Sequence, residues 1–318
     1  MRLGVLSNPL SGGNRRGLAP VRQILARYPG TYHREVQTPA DVASALATFA
    51  RSEVEIVGVN GGDGTIQAVL TALFHQRPFE QPPFLAIVRS GTDSAIARDV
   101  GLKGTRDQAV QLLSRWADSG DGQTAILRRQ VLRLQRSPEA EPIYGMSFGA
   151  AAIYRGILFC RRRVHTLGFH GDVAPGLTIL RVLLALASGK GDLVTPVPMT
   201  ISLDRTPPLH LDCLAVVIST LERLSAGLRP YWGKETGPLH YTAVTARPRK
   251  MLLALSSLLR GRQGRHGTPE NGYYSHNVRE VRLTFEGGFT LDGELYESDP
   301  RCGPVLVQDG GQVSFLRL

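Results

Sequence analysis

V-G-V-N-G-G-D-G-T-I-Q-A-V-L, residues 57–70, is the stretch whose reading decides the fold. A β-branched run from Val54 to Val59 enters Gly61, Gly62, Asp63, Gly64 and Thr65, and an apolar, helix-spaced segment from Ile66 to Leu73 follows at once. The spacing predicts strand, tight turn and helix. Three glycines among five turn positions leave no Cβ in the way, so a ligand can approach the backbone N–H groups closely. Asp63 and Thr65 add a carboxylate and a hydroxyl, and a helix starting near Thr65 offers its first amides to an anion. Phosphate is the natural ligand of such a turn. The plainer alternative is a connector after a buried strand, with Thr65 as a helix cap. The pattern is neither a P-loop, which needs a Lys before the Ser/Thr, nor G-x-G-x-x-G.

Working outward, the same pattern recurs. Arg2 to Leu6 reads as a strand ending at N-P-L-S-G-G-N-R-R-G, residues 8–17, where Asn8, Ser11 and Gly12 sit in a second glycine turn. Phe84 to Val88 reads as a strand that runs into R-S-G-T-D-S-A-I-A-R-D-V-G, residues 89–101, with Gly91 and Thr92 in a third. Helices are expected over Leu18 to Tyr28, from Thr38 with Pro39 at its first position to Arg51, and over Asp107 to Trp116; Thr31 to Gln37 can be a further strand. Strands alternating with helices predict an α/β fold with a mainly parallel sheet covered on both faces. Ligands of such sheets bind outside the carboxyl ends of the strands, where all three glycine turns fall.

The chain has 318 residues, long enough for two domains, and its 42% apolar content supplies packed cores. With 37 Lys and Arg against 27 Asp and Glu, the formal charge of +10 favours anionic partners without naming one. Cys160, Cys213 and Cys302 are odd in number and far apart, which argues against a disulfide scaffold or structural zinc and fits a reducing compartment. The N-terminus goes into a strand and lacks a long apolar signal segment. Leu177 to Ala187 and Met251 to Leu259 are too short to span a bilayer, so the expected location is cytoplasmic, or peripheral on the inner membrane face.

After residue 123 the pattern changes. Thr124 to Arg136, Ile143 to Gly149, Thr200 to Leu203, Cys213 to Ser219, His240 to Ala246, Val278 to Phe285 and Val313 to Leu318 read as strands. Helices are expected at Ala151 to Arg163 and Leu177 to Ser188. The expected domains are 1–123, α/β, and 124–318, β-rich, with the last strands packing back toward the interdomain cleft. Arginines 161–163 follow an apolar helix, and Arg247, Arg249, Lys250, Arg260, Arg262 and Arg265 flank Met251 to Leu259. Such apolar segments bordered by cations can rest on an anionic membrane surface, or be packed helices with a solvated rim. Neither cluster has the interspersed aromatics of a single-strand nucleic-acid groove, so no nucleic-acid partner is expected. Late in the chain, Asp292 and Glu294 follow Gly287 and Gly288, read as a turn, in an extended context that places both side chains on one face. Two carboxylates so placed can bind Mg²⁺ or serve as a base, although D-G also marks surface turns.

N-P-L-S-G at 8–12, G-G-D-G-T at 61–65, S-G-T-D-S-A-I-A-R-D at 90–99 and D-G-E at 292–294, in this order, resemble the diacylglycerol kinase catalytic-domain family, which includes bacterial YegS-like lipid kinases and sphingosine kinases. G-G-D-G-T alone is also similar to the motif of NAD kinases and close to that of phosphofructokinases. The resemblance implies an N-terminal nucleotide-binding domain, a C-terminal β-sandwich domain and an active cleft between them. It implies transfer of the γ-phosphoryl group of ATP, with Mg²⁺, to a lipid hydroxyl. Carried over motif by motif, Asn8, Ser11 and Gly12 help form the nucleotide site; Gly61, Gly62, Asp63, Gly64 and Thr65 hold phosphate, with Asp63 placing the metal; Gly91 and Thr92 line the same cleft. Asp292 is then the general base, with Glu294 close to it.

The chain departs from that family at three places. Ser94 and Ala95 stand where the family commonly has Asn and Asp, which removes an amide and a carboxylate from the cleft. T-G-P-L-H at 236–240 offers no carboxylate for the structural Mg²⁺ of bacterial members, and S-F-G-A-A-A at 147–152 replaces G-x-G-x-D-A. The expected activity is therefore ATP-dependent phosphorylation of a diacylglycerol-like or sphingoid-like hydroxyl, with a lipid at an anionic membrane surface as partner and a homodimer left open. The alternatives are a kinase of another small molecule such as NAD, or a nucleotide- or lipid-binding regulatory protein.

Overall fold

Four short strands near the N-terminus form a parallel sheet, and the segments between them supply its covering helices. The computed structural model describes residues 1–90, 94–167, 195–224, 227–251, 253–254 and 259–318, without the side chains of 160 and 162–167. It divides into two units, Met1–Val131 with Gly311–Leu318, and Leu132–Gly310. The chain passes from one to the other within two long strands, Ala125–Gln135 and Val305–Arg317.

The first unit runs β1 (Leu3–Ser7), α1 (Ala19–Leu25), β2 (Tyr32–Glu35), α2 (Pro39–Arg51), β3 (Ile56–Gly61), α3 (Asp63–Thr71), β4 (Phe84–Arg89), α4 (Ala95–Val100) and α5 (Arg106–Ser119). Its strands lie in the order β2–β1–β3–β4, all parallel. The C-terminal strand joins in parallel through Phe315 beside Leu85. Every residue of β1 and β3 is buried, as expected of strands covered on both faces. Helix α2 starts where the sequence predicts: Thr38 accepts from the Asp41 N–H, and the Asp41 carboxylate accepts from the Thr38 N–H, a capping box with Pro39 next to it. Val42, Ala45, Leu46 and Phe49 form its buried stripe. Phe49 lies against β1 because residue 4 is Gly; a methyl group there would come within 2.7 Å of its ring. Thr105 and Gln108 make a second capping box for α5, and Gly120, at φ 74°, ends it. Leu113 of α5 is fully buried over Gly58, and such burial is worth about 1.5–3 kcal/mol.

Helix α3 begins at Asp63, with Gly62 as its N-cap, two residues before the predicted start. An acidic residue in the first turn complements the helix dipole, and one early Gly costs only about 1 kcal/mol, so Asp63, Gly64 and Thr65 are absorbed into the helix. Its far end passes into a π-turn at Ala72–Gln76, closed by Arg77 at φ 51°.

The second unit contains β5 (Ala125–Gln135, from residue 132), β6 (Ile143–Gly145), β7 (Ser147–Ala151), α6 (Ala152–Leu167), β8 (Val197–Leu203), β9 (Leu209–Ser219), β10 (Leu239–Thr245), β11 (Tyr273–Val278), β12 (Glu280–Thr284), β13 (Gly287–Leu291), β14 (Glu294–Ser298) and the first part of β15 (Val305–Arg317). Strand β9 organises it. Its first half pairs with β8 and its second with β7, both antiparallel, and β10 also pairs with it. One series runs β11–β10–β9–β7–β13–β14, and another β9–β8–β12–β15. Phe148, Tyr241, Leu283, Phe289 and Val305, drawn from both series, share one apolar core. Phe148 and Phe289 stack at 5.4 Å.

Two expectations change here, and a third falls outside the described residues. The single strand predicted over 278–285 is broken at Arg279, where the Asp204 carboxylate accepts from the N–H groups of Arg279 and Glu280, each at 2.8 Å. Gly287 and Gly288, read as a turn, lie inside β13; Gly288 is needed because the Tyr154 ring occupies the place of its missing side chain. The helix predicted over 177–188 lies outside the described residues, as does part of Met251–Leu259. Among the described residues no helix is long and apolar enough to cross a membrane.

Candidate functional site

In the first unit, the loop after β1 and the turn after β3 are tied together by side chains. The Asn8 N–H donates to the Asn60 carbonyl at 3.0 Å, and Asn8 Nδ2 donates to Thr65 Oγ1 at 2.9 Å. Ser11 Oγ accepts from the Gly62 N–H at 3.1 Å. Asn14 Nδ2 donates to the carbonyls of Asn8 and Asn60 at 2.8 and 3.1 Å. The third turn joins through its first residue, since the Ser90 carbonyl accepts from the Gly13 N–H at 2.5 Å. Asn8, Ser11, Gly62 and Thr65 are thus brought together at the carboxyl end of β1 and β3. Gly91 and Thr92 lie outside the described residues.

The glycines divide by what surrounds them. A methyl group on Gly13 would lie 2.6 Å from the Ser90 carbonyl oxygen, and one on Gly61 would lie 2.6 Å from Thr65 Cβ. Those two glycines are required by packing. Among the described residues Gly12 has nothing within 4 Å, and at Gly62 the nearest atom, Ser11 Oγ, is at 4.0 Å. There the missing side chains leave open space beside the first turn of α3, which is what an incoming anion needs.

Asp63 is fixed by the two residues that depart from the family pattern. The Ser94 hydroxyl donates to Asp63 Oδ1, and the Ala95 N–H donates to Oδ2 at 3.2 Å. Ser94 Oγ also accepts from the Ala97 N–H at 2.9 Å as the N-cap of α4. A polar link between positions 63 and 94 therefore exists despite the lost amide and carboxylate. Mg²⁺ is commonly held by one or two carboxylates with phosphate oxygens and water completing the shell, so a single anchored carboxylate beside an open glycine turn fits it. Among the described residues no group of three His, Cys, Asp or Glu side chains gathers as a metal site.

Sequence reading missed several supports. Arg106, at the start of α5, donates to the carbonyls of Gly13 and Gly17 and to Asn14 Oδ1, at 3.1 to 3.2 Å, and so braces the first loop. Asn60 and Ser90 are buried, and Asn60 Oδ1 and Ser90 Oγ have no hydrogen-bond partner among the described residues. The Asn next to G-G-D-G-T was the available signal for the first; nothing in sequence marks Arg106.

In the second unit, Asp292 and Glu294 do not share a strand face as predicted. Leu291 pairs with Glu294, leaving Asp292 and Gly293 as a two-residue hairpin tip with φ of 50° and 84°, a type I′ turn. The turn interrupts the alternation that the extended reading assumed. Asp292 is 7% exposed. Its carboxylate accepts from the Met146 N–H at 3.0–3.1 Å and from the Ser147 N–H at 2.9 Å. Its own N–H donates to the Ser147 carbonyl at 2.8 Å. Gly145 makes room for it, since a methyl group there would collide with Oδ2. Glu294 is half exposed and accepts from Arg161 at 3.2 Å; the same guanidinium donates to the Gly293 carbonyl at 2.8 Å.

Residues 2–122 match the family model described as diacylglycerol kinase catalytic domain. Curated protein sequences include no match. Among solved structures, a diacylglycerol kinase from Bacillus anthracis str. Sterne superposes at a TM-score of 0.60 and 16% identity, over 99% of this chain and 96% of that one. Two further structures from the same organism, provisionally described as diacylglycerol kinases, superpose at TM-scores of 0.65 and 0.64 with 18% and 17% identity and the same coverage. At these identities the likeness establishes a shared fold across both units.

Proposed function

We propose that the protein is an ATP-dependent kinase acting on the hydroxyl of a lipid, diacylglycerol-like or sphingoid-like. The observation that carries this reading is the strand-turn-helix at Gly61–Thr65, with open space at Gly62 and Gly12 and a fixed carboxylate at Asp63. The match of residues 2–122 to a lipid-kinase family model supports it. We read the two strand series of the second unit as the layers of a β-sandwich.

In this reading Asn8, Ser11, Gly12, Gly61, Gly62, Gly64, Thr65, Gly91 and Thr92 form the phosphate-binding surface, and Asp63 holds Mg²⁺. Bound Mg-ATP supplies the transferable phosphoryl group and neutralises charge on it. The residues of this chain then contribute position and electrostatics, which dominate phosphoryl transfer. The amides of the turn orient the triphosphate, and Ser94 and the Ala95 N–H keep Asp63 aimed. Asp292 takes the proton of the acceptor hydroxyl, with Glu294 near it in sequence and held by Arg161. Its carboxylate is held in place for that role by the N–H groups of Met146 and Ser147.

The lipid is met at an anionic membrane surface, with the protein cytoplasmic and peripheral. The Arg247–Arg265 segment suits that contact, since Leu253 is 64% exposed among basic residues. Offering γ-labelled ATP, Mg²⁺, a total lipid extract and NAD together tests the reading. Label in a lipid product supports it; label in phosphorylated NAD, or none in any lipid, overturns it.

A further inference from the structure

Behind the first glycine loop runs a chain of three side chains that the proposed reaction does not use. His33, on β2, places Nε2 3.0 Å from Ser7 Oγ. Asn60 Nδ2 donates to the same oxygen at 3.0 Å. Ser7 and Asn60 are fully buried. Among the described residues Ser7 Oγ has no other hydrogen-bond partner, so its single proton has one acceptor, the imidazole. The chain therefore runs in one direction, amide to hydroxyl to neutral imidazole. Burial pushes the His33 pKa down, with Glu35 opposing it and Arg22 adding to it, which keeps that neutral form at physiological pH. Those two charges, Glu35 on the same strand and Arg22 on α1, are paired at 2.6 Å.

Protonation of His33 reverses the chain. Nε2–H must then donate to Ser7 Oγ, and the hydroxyl proton needs a new acceptor. Asn60 Oδ1 is buried with no partner among the described residues, and turning the amide over exchanges it with Nδ2. Asn60 is also the anchor of the first loop, because its carbonyl accepts from the Asn8 N–H and from Asn14 Nδ2. A change at the imidazole thus reaches the residue that holds Asn8 and Asn14 in place.

We propose that His33 is a positioning residue for the phosphate turn, acting through Ser7 and Asn60, and that the turn holds a triphosphate best while this imidazole is neutral. The second half rests on the reading of the turn as an ATP site; the coupling of His33 to Asn60 stands on the hydrogen bonds alone.

The test has two arms on the full-length protein, from about pH 5.5 to about pH 8, which brackets imidazole titration. Amide NMR of ¹⁵N-labelled wild type follows the Asn60 side chain and the Asn8 N–H; this arm needs no variant. Calorimetry measures Mg-ATP affinity for wild type and His33→Gln, and the comparison cancels the titration of ATP itself. Both sets of amide signals should follow the imidazole titration. Between the two pH limits wild type should lose about fivefold more affinity than His33→Gln, the lower end of typical coupling. Amide signals that ignore the imidazole overturn the proposal. Signals that follow it with identical pH dependence of affinity in the two proteins overturn the positioning role. Signals that follow it, with no ATP bound at any pH, overturn the ATP reading and confirm the coupling.

Discussion

The Ser94 hydroxyl donates to the Asp63 carboxylate and at the same time accepts from the Ala97 N–H at 2.9 Å, so one side chain caps α4 and fixes the carboxylate that opens α3. Ser94→Ala removes both contacts. The lost cap costs about 0.5–2 kcal/mol, visible as a lower midpoint in thermal unfolding. Asp63 also loses a donor, so the Mg²⁺ concentration needed for half-maximal ATP binding should rise. Ser94→Thr, which keeps the hydroxyl, should restore most of both.

The glycines of the two loops separate stability from binding. Gly61→Ala and Gly13→Ala drive a methyl group into Thr65 and into the Ser90 carbonyl, and overpacking of this kind costs about 1–3 kcal/mol. Gly12→Ala and Gly62→Ala meet open space, and Gly62 has a φ of −93° that any residue adopts. These two should unfold within a degree or two of wild type (about 0.5 kcal/mol) yet bind ATP more weakly. Denaturant titration alongside calorimetry distinguishes the pairs.

Asp292 carries a structural duty whatever its chemistry. Asp292→Asn places an NH₂ group where Oδ2 accepts from the Met146 N–H. Leaving buried donors short of an acceptor costs about 1–3 kcal/mol. Gly145→Ala should destabilise the same hairpin without touching the carboxylate's charge. If Asp292 is the proton acceptor, Asp292→Asn should abolish phosphoryl transfer at a temperature where unfolding curves show it folded, while Gly145→Ala retains some.

Glu235 predicts an acid-sensitive loop. Burial works against its charged form, but the Asn277 N–H and His276 outweigh it and bring the pKa down from 4.5 to about 2. A carboxyl with a depressed folded pKa lends stability that is complete above the unfolded value and is lost as pH falls from about 4.5 toward about 2. Glu235→Gln should flatten the stability profile in that window and leave the profile above pH ~5 parallel to wild type. Acid unfolding followed by circular dichroism checks it.

Much of the first unit was legible because its signals are local. Thr38-Pro39 starts α2 as its sequence predicts, and V-G-V-N-G-G-D-G-T declares a strand feeding a glycine turn and a helix. The second unit was less legible because its decisive contacts join residues far apart in the chain. Gly288 looks like a turn residue until Tyr154 is seen to cover it, and the break at Arg279 depends on Asp204. At 292–294, D-G was read as extended when it is a hairpin tip, since the strands on either side had gone unrecognised. Ser94 read as a loss because its partner, Asp63, lies 31 residues away.

Phosphoryl transfer from γ-labelled ATP to fractionated lipids, measured for wild type and Asp63→Asn at saturating Mg²⁺, bears most directly on the kinase reading. Wild type should yield a labelled lipid, and Asp63→Asn, folded as judged by its unfolding curve, should yield none or a small fraction of it. Wild type that binds Mg-ATP yet labels no lipid, or Asp63→Asn that labels lipid at the wild-type rate, would contradict it.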